Sequence, residues 1–167
     1  MSNNTIILIL VEGETEQHLI NDSNIRGKVK IFNCWDNEIK KIQRMINSKY
    51  HVVIVYDTDI INPACTKRFK ENITVLSKIC HQITILQQTQ NLEDELIYAC
   101  SCSEKSLLNE FKSSSKSEFK SSFLKCTNPL VKLEKLGFDS NKMWDRDIIK
   151  EFENLINVKT VNNKNIW

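Results

Sequence analysis

The sequence has no long hydrophobic run, no paired-cysteine motif and almost no net charge, and each absence removes a class of protein. Its longest apolar stretch, residues 6–11, falls far short of the roughly 20 apolar residues that a membrane-spanning helix needs. The N-terminus lacks the basic segment and extended apolar segment of a secretory signal. These two absences predict a cytoplasmic protein with no membrane partner. The six cysteines, at 34, 65, 80, 100, 102 and 126, contain no C-x-x-C pair, so neither a disulfide framework nor a structural zinc site is expected. Cys100 and Cys102 stand two apart in an expected helix and should point to different faces. Reduced, mostly buried thiols are the better reading. A formal net charge of +2 does not mark the whole chain as a polyanion binder, so any nucleic-acid surface must come from local clusters of Lys and Arg.

What is present fits one globular domain. The chain has 167 residues, 41% hydrophobic and 26% charged, enough for a single core. Residues 5–11 and 52–56 are continuous apolar runs, the pattern of strands buried on both faces. Residues 28–33 alternate and read as a strand, and residues 82–86 as a shorter one. Helical spacing marks 15–20, with Thr15 as a candidate cap, then 36–48 and 66–80; Asn62-Pro63 breaks the chain before the last of these. The order β-α-β-α-β-α-β predicts a mainly parallel four-stranded sheet flanked by helices, of Rossmann-like α/β class. Beyond it, 92–102, 107–111, 119–125, 130–136 and 145–156 read as helices, and 158–167 as a tail that could add an edge strand. The chain is thus expected to be one domain over 1–167, with a core at 5–100 and a helical extension at 103–157. The Ser/Lys-rich residues 112–122 are the candidate mobile segment.

Two acidic clusters fall where such a sheet binds ligands, just beyond the carboxyl ends of its strands. The first strand runs into Glu12-Gly13-Glu14-Thr15-Glu16, and the third into Asp57-Thr58-Asp59. Taken singly, Glu12 could be a solvated loop acid or one that favours the positive end of the next helix, and Asp57 and Asp59 could form an Asx-type turn. Together they read as one site. Gly13 permits backbone contortion beside Glu12, Glu16 lies one helical turn on, and like charges two apart in extended chain repel unless a cation neutralises them. Oxygen ligands without His or Cys favour Mg²⁺ or Mn²⁺. A third acidic group, Glu93-Asp94-Glu95, stands at an expected helix start, where acids are favoured in any case. His18, His51 and His81 read as structural, and Trp35 and Trp144 as core or interface aromatics.

These residues resemble the Toprim domain, the fold shared by topoisomerases, bacterial primases and several nucleases. Glu12 stands for that family's glutamate after the first strand, and Asp57 and Asp59 for its D-x-D after the third. The run Val11-Glu12-Gly13-Glu14-Thr15-Glu16 looks most like the nuclease branches, the OLD family and the RloB-like proteins of bacterial anti-phage systems. The resemblance covers roughly residues 5–100. It implies that Glu12 acts as general acid/base or metal ligand, that Asp57 and Asp59 hold a metal, and that Glu16 helps hold a second. For the third motif, an OLD-type alignment selects Glu93, with Asn91 in place of the first acid. An RloB-type alignment selects Asn91 and Glu95. Both fit. It further implies a downstream lysine that stabilises charge on a phosphate, for which Lys112, Lys116, Lys120 and Lys125 are available. Lys116 and Lys120 are preferred because four-residue spacing lets them share a helix face. Lys67, Arg68 and Lys70 are candidates for gripping backbone phosphates. One departure is Ile61, where some Toprim enzymes carry a further aspartate. The sequence also shows no ATPase, zinc finger or topoisomerase tyrosine domain. The expectation is a Mg²⁺- or Mn²⁺-dependent nuclease of DNA or RNA, an effector of anti-phage defence acting with a partner protein. The alternative is a Toprim-like module that binds nucleic acid or a partner without cutting.

Overall fold

The computed structural model describes residues 5–23 and 25–157, with the backbone of 160–161. The continuous apolar runs occupy the middle of the sheet. β1 (Ile6–Val11) and β3 (Tyr50–Asp57) lie parallel, in register from Ile6 opposite Tyr50 to Leu10 opposite Ile54. The shorter, more polar β2 (Lys28–Ile31) flanks β1, and β4 (Gln82–Gln88) flanks β3, both parallel. A two-residue strand, β5 (Thr160–Val161), adds a parallel edge beside Ile83 and Thr84; the rest of the expected tail lies outside the described residues. The strand order is β2-β1-β3-β4-β5. The fold is α/β, with an all-parallel sheet flanked by helices, as the alternation predicts. Among the described residues no helix is long and apolar enough to cross a membrane.

Because successive strand residues point to opposite faces, each central strand feeds two cores. Ile9, Val11, Val53, Val55 and Leu86 pack against Leu19 and Ile20 of α1 (Glu14–Asp22) and Leu92 and Leu96 of α3 (Leu92–Cys100). The same core takes in Leu107 of α4 (Glu104–Glu110), Phe119 and Phe123 of α5 (Lys116–Lys125) and Leu133 of α6 (Pro129–Lys135). On the other face Leu8, Leu10, Val52, Ile54, Tyr56 and Ile85 meet Trp35, Ile39 and Phe152, together with Phe69, Ile73 and Leu76 of α2 (Pro63–Ile79). The chain therefore leaves β1 over one face and enters β3 from the other. That reversal opens a crevice between the carboxyl ends of β1 and β3, the general ligand position of doubly wound sheets.

Several local expectations are corrected. Residues 36–48 form no α-helix but two 3₁₀ turns, Ile39–Lys41 and Gln43–Met45. The helical spacing still buries Ile39, Ile42 and Ile46, but the backbone is pinned from outside. Buried Asn72 of α2 accepts from Ile39 N–H and donates to the Cys34 and Asn37 carbonyls, bonds that compete with a helical ladder. Residues 145–156 likewise give only a 3₁₀ stretch at Lys150–Leu155, because Ile149 N–H and the Asp147 carbonyl bond the Gln87 side chain. The Ser/Lys-rich segment is built, not loose. Ser115 caps α5 by accepting from Glu118 N–H, the Glu118 carboxylate accepts from Ser114, and Phe119 and Phe123 are fully buried. Asn62-Pro63 breaks the chain as expected, but the helix begins at Pro63 itself, behind the Asn62 cap, rather than at residue 66, since proline's missing N–H is no loss in the first turn. Gly13, not Thr15, is the N-cap of α1. Cys100 ends α3 and left-handed Ser101 (φ 50°) turns the chain, so that Cys100 and Cys102 pack against the same core rather than pointing to different faces.

Candidate functional site

Each acid is set by a strand end or a helix start. Glu12 follows β1, and its Oε1 reaches across the crevice to accept from Asp57 N–H at 3.0 Å. Its Oε2 accepts from Asn33 Nδ2 at 3.2 Å. Asn33 follows β2, the neighbour of β1, and its own Oδ1 accepts from Trp35 and Asp36 N–H, which fixes the amide. The buried Trp35 indole donates to the Asp57 carbonyl at 3.0 Å. The carboxyl ends of β2, β1 and β3 are thus tied through one glutamate. Beyond Asp57, Thr58 and Asp59 N–H both donate to the Gln90 carbonyl, and Thr58 Oγ1 accepts from Gln90 N–H. These bonds hold the D-x-D turn against the loop after β4, with Asp59 exposed at its tip.

Burial and mutual repulsion dominate the electrostatics. Burial, with Glu16 and Asp59 adding like charge, pushes Glu12 up to about 7 despite the Asp57 N–H that favours its ionised form. Asp57 is pushed up to about 9, first by burial and then by Glu12, Glu16, Asp59 and Glu93. Glu16 is raised by burial and by Glu93, with Lys120 opposing. Glu12, Glu16 and Asp57 therefore resist ionisation in a field of like charge to which Asp59 and Glu93 also contribute. Gly13 permits part of this arrangement, since a Cβ there would stand 3.1 Å from Glu16 Oε2.

The third acidic group divides. Glu93 is buried and faces the cluster, with Lys120 Nζ beside it at 3.7 Å. Glu95, two residues on, is fully buried on another side of α3. Its carboxylate accepts from Arg146, from Thr89 N–H at 3.2 Å and from Trp144 N–H at 2.8 Å. Asn91 caps α3, its side-chain oxygen accepting from Asp94 N–H. Lys116 lies beside Asp94 at 3.4 Å and Glu104 at 3.8 Å. The phosphate-gripping candidates sit on α2: Lys67 pairs weakly with Glu71 at 4.0 Å, Arg68 donates to the Trp35 and Asp36 carbonyls, and Lys70 lines an open groove with Ile61, Pro63 and Lys67. His18 bonds the Cys126 carbonyl and His51 the Thr84 hydroxyl.

Sequence reasoning missed Asn33, Gln88 and Arg146. Asn33 carried a usable signal, being a polar residue at the end of an apolar alternation in the strand beside β1. Gln88 and Arg146 gave none, because their importance depends on which strand ends and loops meet. A hard dication suits the cluster. It would neutralise the mutual repulsion, and Asp57 Oδ1 and Glu93 Oε1 are buried with no hydrogen-bond partner among the described residues. Also among the described residues, no three His, Cys, Asp or Glu side chains stand close enough together to hold a metal ion, so a shared ion would have to pull these carboxylates closer than they stand. Compared with known proteins, the chain matches no family model, no curated protein and no solved structure.

Proposed function

We propose that the protein is a divalent-metal-dependent nuclease, cleaving phosphodiester bonds of DNA or RNA at the crevice between β1 and β3. The observation that supports it most is the joining of Glu12 and Asp57 at that switch point, where burial and the surrounding acids push Glu12 up to about 7 and Asp57 up to about 9. Such an arrangement is unfavourable without a cation and suited to one. Asp57, Asp59 and Glu12 would hold Mg²⁺ or Mn²⁺, with Glu16 and Glu93 on the side of α1 and α3 toward a second, looser position. The bound ion would supply a polarised phosphate oxygen and an activated water.

The residues contribute the rest. Glu12, with a pKa about 7, can accept a proton from an attacking water and return it near neutral pH. Lys120, beside Glu93, is positioned to balance charge on a phosphate, and Lys116 stands one helical turn away. Glu95 is left out of this reading, because Arg146 and two backbone N–H groups already use its carboxylate. The resemblance to Toprim nucleases of anti-phage systems points the same way and adds the proposal of a partner protein in such a system.

A second reading, a module that binds nucleic acid or a partner without cutting, draws support from the basic side chains. Lys67, Lys116 and Lys120 each face an acid, and Arg68 is bonded to backbone carbonyls, so these four candidates are already engaged within the protein, which favours a partner over nucleic acid as what such a module binds. The two readings separate in one experiment. Labelled single- and double-stranded DNA and RNA are incubated with the protein and Mn²⁺ or Mg²⁺, alongside Glu12→Ala and Asp57→Asn. Cleavage by wild type, lost in both variants while circular dichroism stays native, is the expected result. Binding of Mn²⁺ with no cleavage of any substrate would favour the second reading.

A further inference from the structure

Gln88 ends β4 at the same sheet edge, in register with Asp57 across the strand pair. Leu86 and Val55, two residues before each, pack in the core beneath α1 and α3, so Gln88 and Asp57 leave the sheet on that same face. Gln88 is fully buried, and neither its Nε2 nor its Oε1 has a hydrogen-bond partner among the described residues. A primary amide brings two donors and an acceptor, and burying it unpaired is strongly unfavourable. Leucine or methionine would fill this space without that penalty. Its neighbour in register carries a matching atom without a hydrogen bond, Asp57 Oδ1, and Glu93 Oε1, 3.7 Å from Lys120 Nζ, likewise has none among the described residues.

We propose that Gln88 is a positioning residue of the acid cluster. With a dication bound, its Nε2 would donate to Asp57 Oδ1 and hold that oxygen toward the ion, a bond the two atoms do not make here, and its Oε1 would accept from a water on the ion. The proposal rests on the cation-binding reading above and adds the residue that orients its central ligand. An amide suits this position better than an acid. Glu12, Glu16 and Asp57 already resist ionisation here, and glutamine supplies a donor and an acceptor without another negative charge. Buried hydrogen-bonding partners behind metal ligands act in this way, fixing the ligand's orientation and tuning its basicity.

The test uses the full chain. Mn²⁺ is titrated by calorimetry at about pH 8, where proton competition is reduced, into wild type, Gln88→Met and Asp57→Asn. Gln88→Met should bind Mn²⁺ about 10–100-fold more weakly, while its thermal midpoint in EDTA equals or exceeds that of wild type. Affinity within about twofold of wild type, well below the usual effect of losing such a partner, would overturn the proposal and leave the cation site standing. Wild type that binds no Mn²⁺ would overturn both. If Gln88→Met does not fold, the wild type still decides. The Gln88 side-chain NH₂ resonances should move when Mg²⁺ is added, and resonances that stay in place would refute the assignment.

Discussion

Asp57→Asn should make the metal-free protein more stable while removing the proposed metal site. Asp57 is pushed from an ordinary 3.8 to about 9, first by burial and then by the surrounding acids. Near neutral pH the folded protein therefore keeps a proton that the unfolded chain has released. An acid with a raised folded pKa has its full stability below the unfolded pKa and loses it as pH rises to the folded pKa. The window here runs from 3.8 to about 9. At 1.36 kcal/mol per pH unit, the loss by neutral pH approaches about 4 kcal/mol. Residual solvent contact at the sheet edge screens part of it, leaving roughly 2–4 kcal/mol. Asparagine has nearly the same shape, cannot ionise, and leaves in place the Asp57 backbone bonds to Glu12 and Trp35. Urea unfolding in EDTA should show a gap in favour of the variant that widens by roughly 2–4 kcal/mol between about pH 5 and about pH 8. Saturating Mg²⁺ should reverse the order, since an ion bound only by the folded wild type adds stability by mass action. A variant no more stable than wild type at the higher pH in EDTA, or a gap that does not change with pH, would refute the reasoning.

The same electrostatics predict that Mn²⁺ affinity climbs with pH through the values of Glu12, about 7, and Asp57, about 9, because the ion displaces their protons; calorimetry in two buffers of different ionisation heat should show proton release, and a flat profile would contradict it. Glu16→Gln should weaken a second, looser ion and leave the first in place, whereas two equal tight sites untouched by the change would remove Glu16 from the metal set. Arg146→Ala should cost about 3–5 kcal/mol by leaving the buried Glu95 carboxylate without its cation, measured as a lower denaturation midpoint. Adding Glu95→Gln should recover part of that loss, and no recovery would mean that Arg146 acts through other contacts.

What the sequence discloses here, and what it hides, follows from the range of the interactions. β1 and β3 are readable because a continuous apolar run excludes any place but the middle of the sheet, and the acids that end them inherit their position from that fact. The 36–48 connection is misread because its apolar spacing fits an α-helix, while Asn72, more than thirty residues later in the chain, holds it in 3₁₀ turns. The Ser/Lys segment misleads in the opposite sense. Its composition suggests mobility, yet the signals for order are present in it: a serine cap at 115 and phenylalanines at 119 and 123, four apart on one helix face. Glu93 and Glu95 show the limit most clearly. Both lie in the first turns of one helix, both are acids, and two family alignments each select one of them. Two residues turn a helix by roughly 200°, so only one can face the strand ends. Which one does is decided by Arg146 and the backbone at Thr89 and Trp144, which meet Glu95 and leave Glu93 to Asp57, Glu16 and Lys120. Which of the two glutamates faces the strand ends is thus set by a loop some fifty residues away in the chain, not by any property of the two glutamates.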